Sequence, residues 1–159
     1  MKIFDCFMYF DEEVVLDVRL NTLNEHVDYF VIVESKFTHK GDPRELQFNH
    51  KKFEKFKDKI IYLIYEEEDH KIEKIEKEDS ENEKSSKYIL NAAYRENGQR
   101  NYIQKGLMNA NEDDFILISD VDEIPNLSNL NLEDIDKKIT LFKQKLFYYK
   151  FNLCLPNPV

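Results

Sequence analysis

Hydrophobic residues along the chain follow two alternating patterns, continuous apolar runs and helical stripes. Four short runs are almost wholly apolar, which is typical of strands buried on both faces of a parallel sheet: residues 2–10, 29–34, 60–65 and 114–119. After the first run, the acidic residues 11–13 are followed by apolar positions spaced three or four apart, at Leu16, Leu20, Leu23 and Val27. This spacing predicts a helix with one buried face, and acids favour its N-terminal end.

The later segments continue the alternation of strand and helix. Residues 37–49 contain Gly41 and Pro43 and predict a loop, and a short Lys-rich helix then carries Phe53 and Phe56. Ser85 and Ser86 predict the start of a long helix to about residue 110. We expect its buried side to be marked by Ile89, Ala93, Arg100, Ile103 and Leu107. A short helix over 132–139 and a last β run over 141–155 follow, so the order predicts an α/β fold with a mostly parallel sheet flanked by helices.

Length and charge limit the class of protein. A chain of 159 residues predicts a single domain over 1–159, and its net charge of −9 argues against a nucleic-acid partner. Residues 66–87 hold ten acids and five lysines and so supply −5 of that charge. They are expected to form a solvated surface segment, as a loop or a frayed helix.

The sequence also bears on the compartment. No run approaches the roughly 20 apolar residues of a membrane helix, and residues 1–13 lack the pattern of a signal peptide, so a cytoplasmic location is expected. Cys6 and Cys154 each lie in an apolar run and are expected to be buried. Two such cysteines rule out a disulfide framework and favour a reducing compartment.

An Asp-Val-Asp sequence stands directly after the fourth predicted strand. Because side chains alternate along extended backbone, Asp120 and Asp122 are predicted to share one side and Val121 to point into the core. Two converging carboxylates repel each other unless a cation or protons neutralise them, and oxygen ligands suit Mg²⁺ or Mn²⁺. The alternative is two surface acids that end a strand before a turn at Pro125. Ligands of parallel sheets bind beyond the carboxyl ends of the strands, which favours the cation site.

Several blocks of the sequence resemble glycosyltransferase family 17. These blocks are residues 2–10, 19–21, 27–35, 95–101 and above all the string Ile-Ser-Asp-Val-Asp-Glu-Ile-Pro at 118–125. They occur in the family's order over nearly all 159 residues. The resemblance implies a GT-A type, Rossmann-like domain that binds a nucleotide sugar and a divalent metal. The family's domain normally continues further, so the resemblance also implies that its C-terminal part, with the general base, lies beyond residue 159.

The resemblance assigns expected roles to individual residues. Asp122 is expected to be the main ligand of Mn²⁺ or Mg²⁺, and Asp120 to reach the ribose or the metal. Residues expected to contact the donor are Tyr9, Phe10, Glu34, Arg95, Arg100 and Asp120. For Glu34 the alternative is a solvent-facing acid. For Arg100 it is a helical ion pair with Glu96, and for the two aromatic residues it is packing in the core.

Three functions therefore compete at this point. The first is a metal-dependent, inverting transfer of a sugar, N-acetylglucosamine in the leading hypothesis, from a UDP-sugar to a glycan or lipid-linked glycan acceptor. The second is a nucleotide-sugar-binding module without turnover. The third is a haloacid-dehalogenase-like phosphatase, although its Asp-x-Asp normally closes the first strand. Peripheral membrane association and homo-oligomer formation are left open by the sequence.

Overall fold

Four parallel strands form the centre of the first of two structural units. The computed structural model describes residues 1–147 and 153–155, and the chain divides into Met1–Asp122 and Glu123–Val159. The strands are β1 (Ile3–Tyr9), β2 (Tyr29–Ser35), β3 (Ile60–Tyr65) and β4 (Phe115–Ile118). Their order in the sheet is β3-β2-β1-β4, and every neighbouring pair is parallel. The predicted α/β class with a parallel sheet is therefore confirmed.

Apolar residues of the two central strands supply much of the core. Phe4 and Cys6 of β1 pack with Val31 and Val33 of β2, and all four are almost completely buried. Burial raises the pKa of the Cys6 thiol far above its ordinary value, and the neighbouring Asp5 carboxylate adds to the rise. Cys6 therefore remains a neutral, buried thiol, as its apolar run predicts.

Helix α1 (Glu13–Leu23) buries the predicted stripe. Leu16, Leu20 and Leu23 are fully buried, and so is Arg19 on the same face. The expected short helix around Phe53 and Phe56 forms a single 3₁₀ turn, Glu54–Phe56. Both of these phenylalanines are buried, so the apolar spacing was informative although the helix is shorter than a typical one.

Helix α2 (Glu81–Asn101) begins earlier than predicted. The side chain of Ser80 accepts a hydrogen bond from the Glu83 backbone N–H, and the Glu83 carboxylate accepts one from the Ser80 backbone N–H. This reciprocal capping box satisfies N–H groups that lack partners inside the helix. The prediction that Ser85 and Ser86 cap the helix was therefore wrong, and residues 81–87 of the charged segment are helical. A 3₁₀ turn (Tyr102–Leu107) continues the helix.

The buried side of α2 also differs from the prediction. Ile89 is 67% exposed and Ala93 is exposed, whereas the polar Asn91 and Gln99 are buried. Ile103, in the following turn, is buried as predicted. Before the helix, residues 66–79 form irregular, mostly exposed structure, which agrees with a solvated segment.

The second unit has little regular structure in its described part. A 3₁₀ turn, Leu132–Asp134, replaces the predicted helix over 132–139, so that prediction was wrong in length. The predicted β run over 141–155 is represented, within residues 141–147 and 153–155, by an isolated bridge between Phe147 and Cys154. The rest of that run lies outside the described residues. Cys154 is exposed, so the prediction of its burial was wrong. In the described part of the chain, no helix is both long and apolar enough to cross a bilayer.

Candidate functional site

A cavity of about 890 Å³ lies beyond the carboxyl ends of β1 and β4. Its walls come from the end of β1, the start of α1, the loop after β2, the end of α2 and the turn after β4. This is the edge at which parallel sheets bind ligands, and the volume falls within the usual range of small-molecule sites. The cavity is therefore the candidate site.

Five of the residues that the sequence singled out line this one cavity. They are Tyr9, Phe10, Arg100, Asp120 and Asp122. Between the two aspartates, Val121 is only 7% exposed, whereas both aspartates are exposed. The predicted alternation of side chains in this turn is thus confirmed for the buried valine.

Arg100 connects α2 with the aspartate turn. One guanidinium nitrogen, Nη2, lies 3.2 Å from Asp120 Oδ1 and 3.1 Å from Glu96 Oε1. Burial opposes its charge, but the hydrogen bond to Glu96 and the neighbouring Asp120 carboxylate outweigh this and raise the pKa of Arg100. Arg100 therefore forms the alternative helical pair with Glu96 and also lines the cavity, while its contact with the donor stays a prediction.

The two aromatic residues at the end of β1 differ in exposure. Phe10 is 43% exposed, and the Arg44 guanidinium lies 4.0 Å from the centre of its ring. Arg44 also donates hydrogen bonds to the carbonyl oxygens of Phe10 and Ser35, so the ring is supported from one side. Tyr9 is almost fully buried, and burial together with nearby carboxylates, Glu34 first, raises its pKa to about 12.

Glu34 lies outside the lining of the cavity and is fully buried. Its Oε1 accepts from the Gln47 backbone N–H at 2.6 Å and pairs with Arg44 at 3.1 Å. Its Oε2 accepts from the Phe48 backbone N–H at 3.1 Å and from the Tyr62 hydroxyl at 2.7 Å. Neither the predicted donor contact nor the solvent-facing alternative describes this carboxylate, which fastens the loop after β2.

Arg95 is also separate from the cavity lining and supports the same loop. It bonds to Glu68 Oε1, at 3.1 Å from Nε and 2.9 Å from Nη2, and donates to the His39 carbonyl at 3.2 Å. Gly41 adopts a positive φ of 96°, and a Cβ there would lie 2.5 Å from the Arg95 guanidinium. The loop residues Thr38, His39, Lys40 and Asp42 line the cavity, so Arg95 supports a segment of the cavity wall without lining the cavity itself.

Sequence reasoning missed a buried ion pair beneath the aspartate turn. Arg19 and Asp5 are both fully buried and joined by two hydrogen bonds, of 2.8 and 2.7 Å. Arg19 also donates to the backbone carbonyls of Asp120 and Val121. The available signal was a charge on each of two otherwise apolar surfaces, Asp5 within a buried strand and Arg19 between Leu16 and Leu20 on the buried helix face.

Comparison with known proteins gives the class of the protein. The sequence profile of glycosyltransferase family 17 matches residues 1–157. The chain belongs to glycosyltransferase family 17. Its class is therefore that of the glycosyltransferases, and the resemblance stated from the sequence blocks is confirmed.

Two relatives of this family 17 chain share one name. The human and the rat beta-1,4-mannosyl-glycoprotein 4-beta-N-acetylglucosaminyltransferase are each 31% identical to it over 115 residues. The match covers 70% of this chain and 19% of each relative, so the chain spans a small part of their length. No solved structure gives a significant match to the chain.

The carboxylates at this cavity supply only part of the ligand set of a hard divalent cation. Among the described residues, no group of three or more histidine, cysteine, aspartate or glutamate side chains is arranged to hold a metal. Asp120 and Asp122 offer two carboxylates at the cavity. Mg²⁺ is commonly held by one or two carboxylates together with waters and substrate phosphates, so this pair fits a cation whose remaining ligands come with the substrate.

Proposed function

We propose that the protein transfers a sugar, N-acetylglucosamine in the first instance, from a UDP-sugar to a glycan or lipid-linked glycan acceptor. The proposed reaction inverts the sugar's configuration and requires Mn²⁺ or Mg²⁺ at Asp120 and Asp122. Family membership and the names of the two relatives support the class of donor and acceptor. The observation that carries the proposal is the placement of Asp120, Asp122 and Arg100 around one cavity at the carboxyl edge of the sheet.

The charged groups of the cavity suit a nucleoside diphosphate. Asp122 would be the main cation ligand and Asp120 the second, and the bound cation would stabilise the negative charge of the departing diphosphate. Arg100 adds a guanidinium whose planar donors match phosphate oxygens. Because Arg100 already contacts Asp120 at 3.2 Å, it lies beside the position that the diphosphate would occupy.

The aromatic end of β1 suits the base of the donor. Phe10 presents 43% of its surface, and Arg44 packs against its ring at 4.0 Å. A supported, exposed ring offers a flat apolar face on which a nucleobase can stack. Tyr9 is almost fully buried and supplies part of the cavity wall.

A module that binds the nucleotide sugar without turnover is the second candidate. Two glutamates of the cavity are engaged by other groups of the chain. Glu12 Oε2 accepts hydrogen bonds from the backbone N–H groups of Phe10 and Asp11, and Glu96 pairs with Arg100. Asp42 and His39 also line the cavity, and we assign none of these groups as the general base for the acceptor hydroxyl. The family match removes the support for a phosphatase of the haloacid dehalogenase type.

Donor choice and turnover test the proposal. In the presence of Mn²⁺, calorimetry should show tighter binding of UDP-N-acetylglucosamine than of GDP-mannose. Mass spectrometry of an acceptor glycan mixture should show addition of one N-acetylhexosamine. Donor binding without any transfer would favour the module, whereas equal or absent binding of both donors would contradict a UDP-sugar site.

A further inference from the structure

All three guanidinium nitrogens of Arg19 donate hydrogen bonds in the interior of the first unit. Nε and Nη2 donate to the two carboxylate oxygens of Asp5, and Nη2 also lies 2.8 Å from Ser119 Oγ. Nη1 lies 2.7 Å from the carbonyl oxygen of Asp120 and 3.1 Å from that of Val121. The ring of Phe7 covers the group, with its centre 4.5 Å from Cζ. One side chain therefore connects β1, α1 and the turn after β4.

These contacts fix two successive peptide groups of the aspartate turn. The carbonyls of Asp120 and Val121 both accept from a nitrogen inside the protein, and the Val121 side chain is buried as well. With these groups held inside, the carboxylates on either side of Val121 are left at the cavity. The orientation of the two carboxylates thus depends on hydrogen bonds from Arg19, whose guanidinium lies inside the protein.

The chemistry of the group explains why an arginine stands here. A guanidinium has five N–H donors in a rigid plane, enough to bind a carboxylate through two bonds and still serve two carbonyls. Lysine offers a compact ammonium without this fork. A buried ion pair is weak evidence for stability alone, because well-packed apolar residues often replace one at little cost. The additional carbonyl contacts point to a different role.

We propose that Arg19, held in place by Asp5, is a positioning residue that orients Asp120 and Asp122 for cation binding. The cation in this inference rests on the proposed function. The positioning of the turn by Arg19 rests on the geometry alone. Removal of a group that hydrogen-bonds to a metal ligand commonly weakens metal affinity about 10- to 100-fold. We expect a loss of that order here.

The test uses a variant that removes the ion pair without leaving an unpaired buried charge. In the double variant Asp5→Leu/Arg19→Met, apolar side chains replace both partners. Lys87→Met is the control, because it removes an ion pair with Asp79 whose partners do not line the cavity. Mn²⁺ affinity is measured by electron paramagnetic resonance, the turn is followed through the amide resonances of Val121 and Asp122 without cation, and thermal unfolding reports the fold.

The expected result is a folded double variant with shifted amide resonances and about 10- to 100-fold weaker Mn²⁺ binding, while the control keeps the affinity of the wild type. Unmoved resonances, or an undiminished Mn²⁺ affinity, in the folded double variant overturn the inference. A wild type that binds no Mn²⁺ overturns the proposed function, and the amide resonances still decide whether Arg19 positions the turn. If the double variant does not fold, Arg19→Lys, which keeps a charge beside Asp5, is measured in the same ways.

Discussion

Phe10 presents an exposed aromatic ring at the cavity. Replacing it by Ala removes the face that Arg44 supports, and we expect UDP affinity to fall about fivefold or more, since stacking on one aromatic ring contributes on the order of 1–3 kcal/mol. Calorimetry of UDP in Mn²⁺ measures the change. Tyr88→Ala is the matched control, because Tyr88 is also exposed but does not line the cavity. Equal losses in both variants would contradict a stacking role.

Gly98 in α2 leaves space for a side chain of the sheet. The hydroxyl of Tyr65 would lie 2.2 Å from a Cβ added at Gly98. Gly98→Ala should therefore destabilise the protein by roughly 1–3 kcal/mol through overpacking, despite the better helix propensity of alanine. Urea unfolding measures this. Asn97→Ala, at the exposed neighbouring position, is the control. If Gly98→Ala raised stability as Asn97→Ala is expected to, the close contact with Tyr65 would be refuted.

Tyr9 should make stability depend on alkaline pH. Burial first, and then the Glu34 carboxylate, raise its pKa to about 12, against about 10 in an unfolded chain. The folded state therefore holds this proton more tightly. The resulting stabilisation is complete below about pH 10 and is lost as the pH rises to about 12. Urea unfolding across this range should show a shallower decline for Tyr9→Phe than for the wild type, and identical slopes would contradict the assignment.

Single residues were predictable where local alternation determines the direction of a side chain. Asp120, Val121 and Asp122 follow a strand, so the period of two was sufficient. Glu34 also ends a strand, but its partners Arg44, Gln47 and Phe48 come from the loop after β2. The path of that loop is not encoded by hydrophobic periodicity, and the buried role of Glu34 could not be predicted from sequence.

At the level of elements, the start of α2 gives a direct test. Ser80 accepts the hydrogen bond from the Glu83 backbone N–H, so Ser80→Ala should lower the free energy of unfolding by about 1 kcal/mol. Ser85 is exposed inside the helix, and Ser85→Ala should leave stability unchanged or raise it slightly. Thermal or urea unfolding compares the two variants. A loss for Ser85→Ala and none for Ser80→Ala would place the helix start at the position expected from sequence.

Strands were easier to predict than the buried face of α2. The strands carry apolar residues on both faces, which produces continuous runs that stand out in the sequence. In α2 the buried contacts are polar. Gln99 Nε2 donates to the Val33 carbonyl at 2.8 Å, and Asn91 exchanges hydrogen bonds with the backbone of Glu73. Amide side chains satisfied in this way have no hydrophobic signature, so within α2 the apolar stripe pointed to Ile89 and Ala93, which are exposed.

For the molecule as a whole, the topology assembles the site. Residues 9–10 and 120–122 are far apart in sequence but meet because β1 and β4 are parallel neighbours that end at one edge. The order of strands and helices was sufficient to predict this edge and the α/β class. The ion pair of Asp5 and Arg19 beneath the edge required the structure, because sequence spacing does not show which strand faces which position of a helix.

The proposed function requires Asp120 and Asp122 to make nucleotide binding dependent on a divalent cation. Its most direct test is calorimetry of UDP with and without Mn²⁺, on the wild type, on Asp122→Asn and on Asp113→Asn, an exposed aspartate outside the cavity lining. We predict binding that requires Mn²⁺, is lost in Asp122→Asn and is retained in Asp113→Asn. Binding that is independent of Mn²⁺, undiminished in Asp122→Asn, or absent from the folded wild type under every condition would contradict a cation-dependent nucleotide site at Asp120 and Asp122.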